Sequence, residues 1–201
     1  MSGAISIALR PQRPWGRWAR QWLCGAAVLL ALYGGLTVWY SRGPARRAAT
    51  MRALEPMVQQ VARRHGVEPA LIKAVIRTES DFRPEIRGAA GEIGLMQITT
   101  GAADDWAKAT GRQYGRAGAL FEPELNLEVG VWYLARALRR WQGHPERDIL
   151  ALAQYNAGPS RASEWASQAP GKVVDYIPIS STRRYIDKVL RYRQSYAEPV
   201  R

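Results

Sequence analysis

One stretch of the chain, LIKAVIRTESDF at residues 71–82, directs an acidic side chain at an apolar face. At helical spacing its aliphatic side chains form one stripe, and Glu79 follows Val75 by four residues on that stripe. A carboxyl group among aliphatic side chains is desolvated, which raises its pKa, and a protonated glutamic acid is a general acid. Such an acid can protonate the oxygen that departs when a glycosidic bond breaks. Periodicity alone favours a simpler interpretation, in which Glu79 lies at the rim of the stripe and pairs with Arg83.

The composition is that of a basic, globular chain. The 201 residues carry a formal net charge of +12, and 47% of them are hydrophobic, which argues against an intrinsically disordered protein. Positive charge suits nucleic acid, anionic lipid or a carboxylate-rich polymer such as bacterial cell wall. It serves solubility equally well, so charge alone does not choose among these partners.

Metal and disulfide chemistry have no support in the sequence. The single cysteine, Cys24, has no intramolecular disulfide partner, and no cysteine–histidine cluster has the spacing of metal ligands. The two histidines, His65 and His144, flank predicted turns and are interpreted as surface or capping residues. We therefore expect neither a metal nor a cofactor.

An uncharged stretch near the N-terminus, QWLCGAAVLLALYGGLTVWYS, is flanked by arginine and tryptophan. Its apolar part, residues 22–40, would span roughly 28 Å as a helix, close to the hydrocarbon thickness of a bilayer. Bulky and basic residues follow it, rather than a small-residue cleavage site. We predict a basic tail at 1–21, a single uncleaved transmembrane signal anchor at 22–40 and a basic linker at 41–50. The flanking arginines do not settle its orientation.

Residues 51–201 are predicted to form one all-α domain. One helix ends at Gly66, and the next begins at Pro69 and ends near Phe82, because Pro84 disfavours helix in the residue before it. No segment alternates with period two for long enough to require a strand. The further predicted helices are one over 95–111 with a possible break at 99–101, a long one capped by Asn126, one ending at YNAGP, a short one over 161–167, and a last one with Tyr185, Val189, Tyr192 and Tyr196 on one face.

Four motifs occur in a fixed order along this domain. They are ESDF from residue 79, GLMQ from 94, AQYNAGP from 153 and IPISSTRRYIDKV from 177. In order and separation they resemble the catalytic domain of the soluble-lytic-transglycosylase type, a relative of goose-type lysozyme. The resemblance covers roughly residues 54–196 and implies a lysozyme-like helical domain.

The resemblance implies a set of site residues. Glu79 matches the family's single catalytic acid and base. Met96 and Gln97 match positions that face the sugar, and Tyr155 and Asn156 match a pair beside the catalytic acid. The tyrosine hydroxyl is expected to hydrogen-bond the glutamate or the reacting sugar.

The implied substrate is the glycan strand of peptidoglycan, and the implied product is a 1,6-anhydro ring on the muramic acid. In this reaction one glutamate first donates a proton to the leaving oxygen and then deprotonates the sugar's own 6-hydroxyl. No second carboxylate falls in a matching motif, in contrast to two-carboxylate glycosidases. The nearby Asp81, Glu85 and Glu92 are predicted to be solvated. The resemblance also implies a catalytic domain in the periplasm, held at the inner membrane by the anchor.

The sequence departs from the family pattern at two positions that bear on activity. Gly88 stands where the family often has serine, and Ser181 stands where it often has glutamate. A hydrolase of the same fold and a non-catalytic peptidoglycan-binding subunit of an envelope assembly therefore stay open. A nucleic-acid-binding protein is the remaining alternative, although the chain contains no motif with groove geometry.

Overall fold

The computed structural model describes residues 43–169 and 172–197. The predicted tail at 1–21 and the predicted membrane anchor at 22–40 lie outside these residues. In the part of the chain that is described, no helix is both long and apolar enough to cross a membrane.

The described chain is helical, as predicted. Its helices are α1 (43–65), α2 (Pro69–Glu79), α3 (Thr100–Thr110), α4 (Pro123–Arg140), α5 (Arg147–Ala157), α6 (Pro159–Gln168), α7 (Val173–Tyr176) and α8 (Ser180–Ala197), with a 3-10 helix over Ala117–Phe121 before α4. Between α2 and α3, isolated bridges join Arg87 to Ile93 and Ile93 to Ile98, and no strand is assigned in residues 43–169 or 172–197. The all-α class is therefore confirmed for this part of the molecule.

The first helix extends into the predicted linker. Residues 43–50 are helical, whereas the sequence predicted a basic linker at 41–50. The segment is rich in alanine and arginine, which are strong helix formers, so helix propensity prevails over the Gly-Pro pair at its start. The side chain of Arg47 donates a 2.9 Å hydrogen bond to the Asp81 carboxylate, which ties α1 to the end of α2.

The start of α2 follows the prediction and its end does not. Gly66 has φ of +67°, and Pro69 occupies the first turn, as expected. The helix stops at Glu79 rather than near Phe82, because Asp81 and Phe82 take left-handed φ of 56° and 60° and reverse the chain. This reversal buries the Phe82 ring in the core and leaves Glu79 as the last helical residue.

The segments on either side of α3 also differ from the prediction. Leu95 to Gln97 form a turn rather than helix, and α3 begins only at Thr100, capped by the Thr99 hydroxyl. The long helix α4 begins at Pro123, so Asn126 lies within its first turn and is completely buried instead of capping it.

The helix α8 packs against both α2 and α5 and so brings these helices together. The helix α2 lies along α8, while α5 packs against α4, α6 and α8. Alanines at 151 and 153, both fully buried, allow α5 to lie in the middle of this arrangement. As a result the C-terminal end of α2 comes near one tyrosine of α5 and one of α8.

Candidate active site

The carboxyl group of Glu79 is the centre of the candidate site. It belongs to a half-buried residue at the end of α2. The pKa of Glu79 is raised from 4.5 to about 7. Burial is the largest cause and the charge of Glu92 acts in the same direction, while Tyr185 and Lys188 lower the pKa. The desolvation predicted from the apolar stripe is therefore the largest cause, and the carboxyl group holds its proton close to neutral pH.

Two tyrosines face this carboxyl group. Burial and the charge of Glu79 hold the pKa of Tyr155 and of Tyr185 well above the ordinary value, so both phenols stay protonated. The Tyr155 hydroxyl donates a 3.0 Å hydrogen bond to the Met96 carbonyl, whereas the resemblance implied a hydrogen bond to Glu79 or to the reacting sugar. The site therefore has neutral phenol groups beside its acid.

Tyr185 was not predicted as a site residue. Its buried hydroxyl lowers the pKa of Glu79 as a hydrogen-bond donor would, yet it has no hydrogen bond of ordinary geometry in the described structure. We interpret the hydroxyl as within reach of the carboxylate but not aligned with it. The sequence feature that could have identified Tyr185 is its place in the IPISSTRRYIDKV motif. Helical spacing alone indicated only that Tyr185 lies on a packed face of the last helix.

The turn at Gly94–Gln97 is fixed by buried side chains. Asn126 accepts a hydrogen bond from the Met96 N–H and donates to the carbonyls of Ile93 and Leu120, each at 2.8 Å. The Ser80 hydroxyl, next to the acid, donates to the Leu95 carbonyl at 2.8 Å. These bonds tie the turn to both α2 and α4.

Met96 and Gln97 have different environments within this turn. The Met96 side chain is fully buried against α4, where a Cβ on Gly130 would come within 2.5 Å of its sulfur. It therefore lies beneath the surface expected to face the sugar, and not on it. The Gln97 backbone has φ of +49°, and its amide donates a 2.9 Å hydrogen bond to the Gly94 carbonyl.

Asn156 lies at the exposed end of α5. Its Oδ1 accepts a 2.9 Å hydrogen bond from the hydroxyl of buried Thr182, the residue after Ser181. This bond connects the YNAG segment to the start of α8, so two of the sequence motifs are joined directly.

A cavity of about 460 Å³ shares Tyr155 with the surroundings of the acid. Gln97 and Tyr155 line it together with residues of α3, α4 and the start of α6. Glu79 is not itself in the lining. Tyr155 faces both the cavity and the charge of Glu79, and it connects the two regions.

The loop over residues 83–94 contains a carboxylate, Glu92, that was predicted to be solvated. Glu92 is half-buried and accepts a 3.0 Å hydrogen bond from the Ala90 N–H. A Cβ on Gly88 would lie 2.4 Å from Glu92 Oε2 and 2.6 Å from Gln97 Oε1, so these groups occupy the space a side chain would need. Asp81 pairs with Arg47 and Arg77, and its side chain stays 36% exposed.

Metal binding has no support in the described structure. Within residues 43–169 and 172–197, no three His, Cys, Asp or Glu side chains are grouped closely enough to hold an ion. His65 approaches Glu128 at 3.3 Å, and the His144 ring accepts a hydrogen bond from the Glu146 N–H.

Comparison with known families gives one match over most of the domain. Residues 56–176 match the family described as "Transglycosylase SLT domain". This segment includes the ESDF, GLMQ and YNAG motifs and ends before α8.

Similar full-length proteins include soluble and membrane-bound forms. The soluble lytic murein transglycosylase of Salmonella typhimurium is 33% identical over 150 residues, covering 72% of this chain and 23% of that protein. The membrane-bound lytic murein transglycosylase C of Klebsiella pneumoniae is 31% identical over 165 residues, covering 70% of this chain and 45% of that protein. The chain thus spans less than half the length of these relatives.

Solved structures with the same fold include two lytic transglycosylases. The 70 kDa soluble lytic transglycosylase of Escherichia coli has a TM-score of 0.66 at 30% identity, covering 70% of this chain and 23% of that one. The lytic transglycosylase Slt of Pseudomonas aeruginosa, solved as an inactive glutamate-to-glutamine mutant, has a TM-score of 0.65 at 29% identity, covering 71% and 23%.

Proposed function

This chain belongs to the transglycosylase SLT domain family, and from this we propose that it is a peptidoglycan lytic transglycosylase with Glu79 as its single acid and base. The bond cleaved is the β-1,4 linkage between N-acetylmuramic acid and N-acetylglucosamine. The observation that carries the proposal is the burial of Glu79, which raises its pKa to about 7 beside neutral tyrosines. That a glutamate-to-glutamine mutant of the Pseudomonas relative is inactive agrees with an essential glutamate.

The reaction proceeds in two proton transfers. Glu79 gives its proton to the glycosidic oxygen as the bond from that oxygen to the muramic acid C1 breaks, leaving an oxocarbenium-like centre. The Glu79 carboxylate then takes the proton of the 6-hydroxyl of the same sugar, whose oxygen forms the new bond to C1. No water is consumed, and Glu79 ends protonated as it began. An intramolecular nucleophile gives this step a high effective molarity.

The surrounding residues position the sugar and the acid. Gln97 and Tyr155 line the cavity and are proposed to contact the sugar directly. Asn156, which is exposed at the end of α5, is proposed to bind the substrate as well. Met96 is fully buried, so its proposed contribution is to shape the groove from beneath. Tyr185 stabilises the ionised form of Glu79, which makes Glu79 a stronger acid and thereby assists the first step.

We also propose that residues 22–40 anchor the protein in the bacterial inner membrane as a single span. The catalytic domain would then lie in the periplasm, where its substrate is found. The composition of that segment and the existence of a membrane-bound relative support this assignment.

One observation favours a second candidate function, a hydrolase that uses water. The half-buried Glu92 acts electrostatically on Glu79, as the second carboxylate of a two-carboxylate glycosidase would. In that reaction Glu92 would activate water on the opposite face of the sugar.

Digestion of purified sacculi in ¹⁸O-labelled water separates the candidate functions. A lytic transglycosylase releases anhydro-muropeptides without the label, whereas a hydrolase releases reducing-end muramic acid that carries it. Binding of sacculi with no product of either kind would identify a non-catalytic peptidoglycan-binding subunit and refute both enzymatic candidates.

A further inference from the structure

Two arginines of α4 project into the cavity that begins at Gln97 and Tyr155. Arg136 and Arg140 are four residues apart, so they share one face of the helix, and both line the cavity. Both side chains are exposed. Between them the small, buried Ala137 forms part of the cavity floor, which leaves room above it for a ligand.

These two guanidinium groups have no acidic partner in the described structure. The Arg136 guanidinium lies 5.5 Å from the centre of the Trp132 ring, and the Arg140 guanidinium lies 5.5 Å from the centre of the Trp141 ring. Arg140 also donates a 2.8 Å hydrogen bond to the Ser163 hydroxyl. Stacking on an aromatic ring holds a guanidinium in place while its remaining N–H groups stay available.

The aromatic partner of Arg140 is itself held by a hydrogen bond. The Trp141 indole donates a 3.0 Å hydrogen bond to the Gln154 side chain, and Gln154 directly precedes Tyr155. Contacts therefore connect Arg140, through Trp141 and Gln154, to the tyrosine beside the acid.

The opposite wall of the cavity contributes one carboxylate. Asp105 of α3 accepts a 2.6 Å hydrogen bond from the Tyr133 hydroxyl. Burial and Asp105 raise the pKa of Tyr133 to about 12, so the phenol keeps the proton that it shares with this carboxylate. The charged lining is then two cations and one anion, a net positive surface on the side of α4.

We propose that Arg136 and Arg140 bind a carboxylate of the muramic acid substituent, and so select acidic glycan strands over neutral ones. Guanidinium groups match carboxylates in charge and planar geometry and bind them in pairs of parallel hydrogen bonds. Peptidoglycan supplies this group in two ways, as the carboxylates of the peptide stem or as the free lactyl carboxylate where the peptide has been removed. The inference rests on the proposed function, because it assumes that the glycan strand runs from Glu79 into this cavity.

The test measures binding without turnover, in protein carrying Glu79→Gln. In this background Arg136→Gln with Arg140→Gln should weaken affinity for solubilised peptidoglycan strands by about tenfold or more, the loss expected for charge-assisted hydrogen bonds. Affinity for a neutral oligomer of β-1,4-linked N-acetylglucosamine should not change. The matched control is Arg139→Gln, an exposed neighbour on α4 that lines a different cavity, and it should bind like the parent.

Three kinds of strand identify the carboxylate. A loss of affinity confined to peptide-bearing strands assigns the peptide carboxylates, whereas a loss that persists on strands stripped by an amidase assigns the lactyl carboxylate. Either result supports the proposal. An equal loss on the neutral oligomer, or no loss on any strand, would overturn it. Arg136→Lys with Arg140→Lys keeps both positive charges and should recover part of the affinity. No recovery is expected if the glutamine double variant loses affinity only because substitution at these positions disturbs the fold.

Failure of this inference can be told apart from failure of the proposed function. If the protein with wild-type Glu79 releases anhydro-muropeptides and the arginine variant binds all strands normally, the function stands and the carboxylate site does not. If no anhydro product forms, the binding measurements still decide whether the arginine pair recognises a carboxylate.

Discussion

At the scale of the residue, the chemistry of Glu79 depends on its surroundings more than on its own type. Burial at the end of α2 is the largest cause of its high pKa, and Glu92 adds to it. The same burial has a measurable consequence for folding. Because the carboxyl group holds its proton more tightly in the folded chain than in the unfolded one, the folded protein is destabilised at pH values where the group must ionise.

Glu79→Gln should therefore change how stability depends on pH. The pKa of Glu79 is about 7 in the folded chain against 4.5 for the free group, so the wild type loses stability as the pH rises from about 4.5 through about 7. Glutamine does not titrate. Relative to the wild type, the variant should gain up to about 3 kcal/mol in free energy of unfolding between about pH 4 and pH 8.

Denaturant unfolding at several pH values tests this directly. Glu124→Gln is the control, because Glu124 is an exposed residue of α4 and its substitution removes the same charge at a distance from the site. If Glu79→Gln and Glu124→Gln follow the wild-type curve equally, Glu79 does not have a raised pKa.

Glu92 offers a second test at this scale. Glu92→Gln removes a negative charge that raises the pKa of Glu79, so the acid ionises at lower pH and the alkaline limb of the rate profile moves to lower pH. We expect kcat/KM near pH 8 to fall roughly two- to fivefold, with little change near pH 5. A loss of several orders of magnitude at every pH would instead assign Glu92 to catalysis and favour the hydrolase.

Sequence reasoning predicted the acid of this site but not all of its surroundings. The apolar stripe and motif order predicted Glu79, and burial does raise the pKa of this carboxyl group. Tyr155 lies near the charge of Glu79 and lines the cavity together with Gln97. Tyr185 and Glu92 reach the site through the packing of α8 and the shape of the 83–94 loop, which periodicity does not encode. The roles of Met96 and Asn156 stay predictions.

At the scale of the element, the turn at Gly94–Gln97 depends on one buried amide. Asn126→Ala would remove the hydrogen bonds to the Met96 N–H and to two carbonyls, leaving buried polar groups unpaired. We expect a loss of about 3–5 kcal/mol in the free energy of unfolding and a large fall in activity.

Chemical denaturation and turnover of sacculi measure both effects. Asn156→Ala removes the same side chain at an exposed position and serves as the stability control, with an expected cost of about 1 kcal/mol or less. Equal stability losses in the two variants would mean that the buried amide does not hold the turn.

The differences between predicted and observed elements have local causes. Helix termini at Gly66 and Pro69 were predicted because these residue types have strong backbone preferences. The early end of α2 was missed because Asp81 and Phe82 adopt left-handed φ, an arrangement stabilised by tertiary packing of the Phe82 ring. Asn126 was expected to cap a helix because its side-chain amide can pair with backbone groups. In the structure the same property lets it pair with the Met96 N–H from a buried position within α4.

At the scale of the whole molecule, the proposed anchor would decide where the enzyme acts. If residues 22–40 span the inner membrane, Leu30→Arg with Leu32→Arg places two charges in the hydrocarbon, at a cost of about 2.5–3.5 kcal/mol each. The full-length variant should move from the membrane fraction to the soluble fraction. Leu30→Ala with Leu32→Ala keeps the segment uncharged and should stay membrane-bound. Retention of the arginine variant in carbonate-washed membranes would argue against the anchor.

The central claim is that a single protonated glutamate breaks the glycan strand without water. Mass spectrometry of the products released from purified sacculi by the wild type and by Glu79→Gln tests it most directly, with helical content compared by circular dichroism. We predict 1,6-anhydro-muropeptides from the wild type and none from Glu79→Gln, at equal helical content. Release of the same products by Glu79→Gln, or reducing-end muramic acid from the wild type, would contradict the claim.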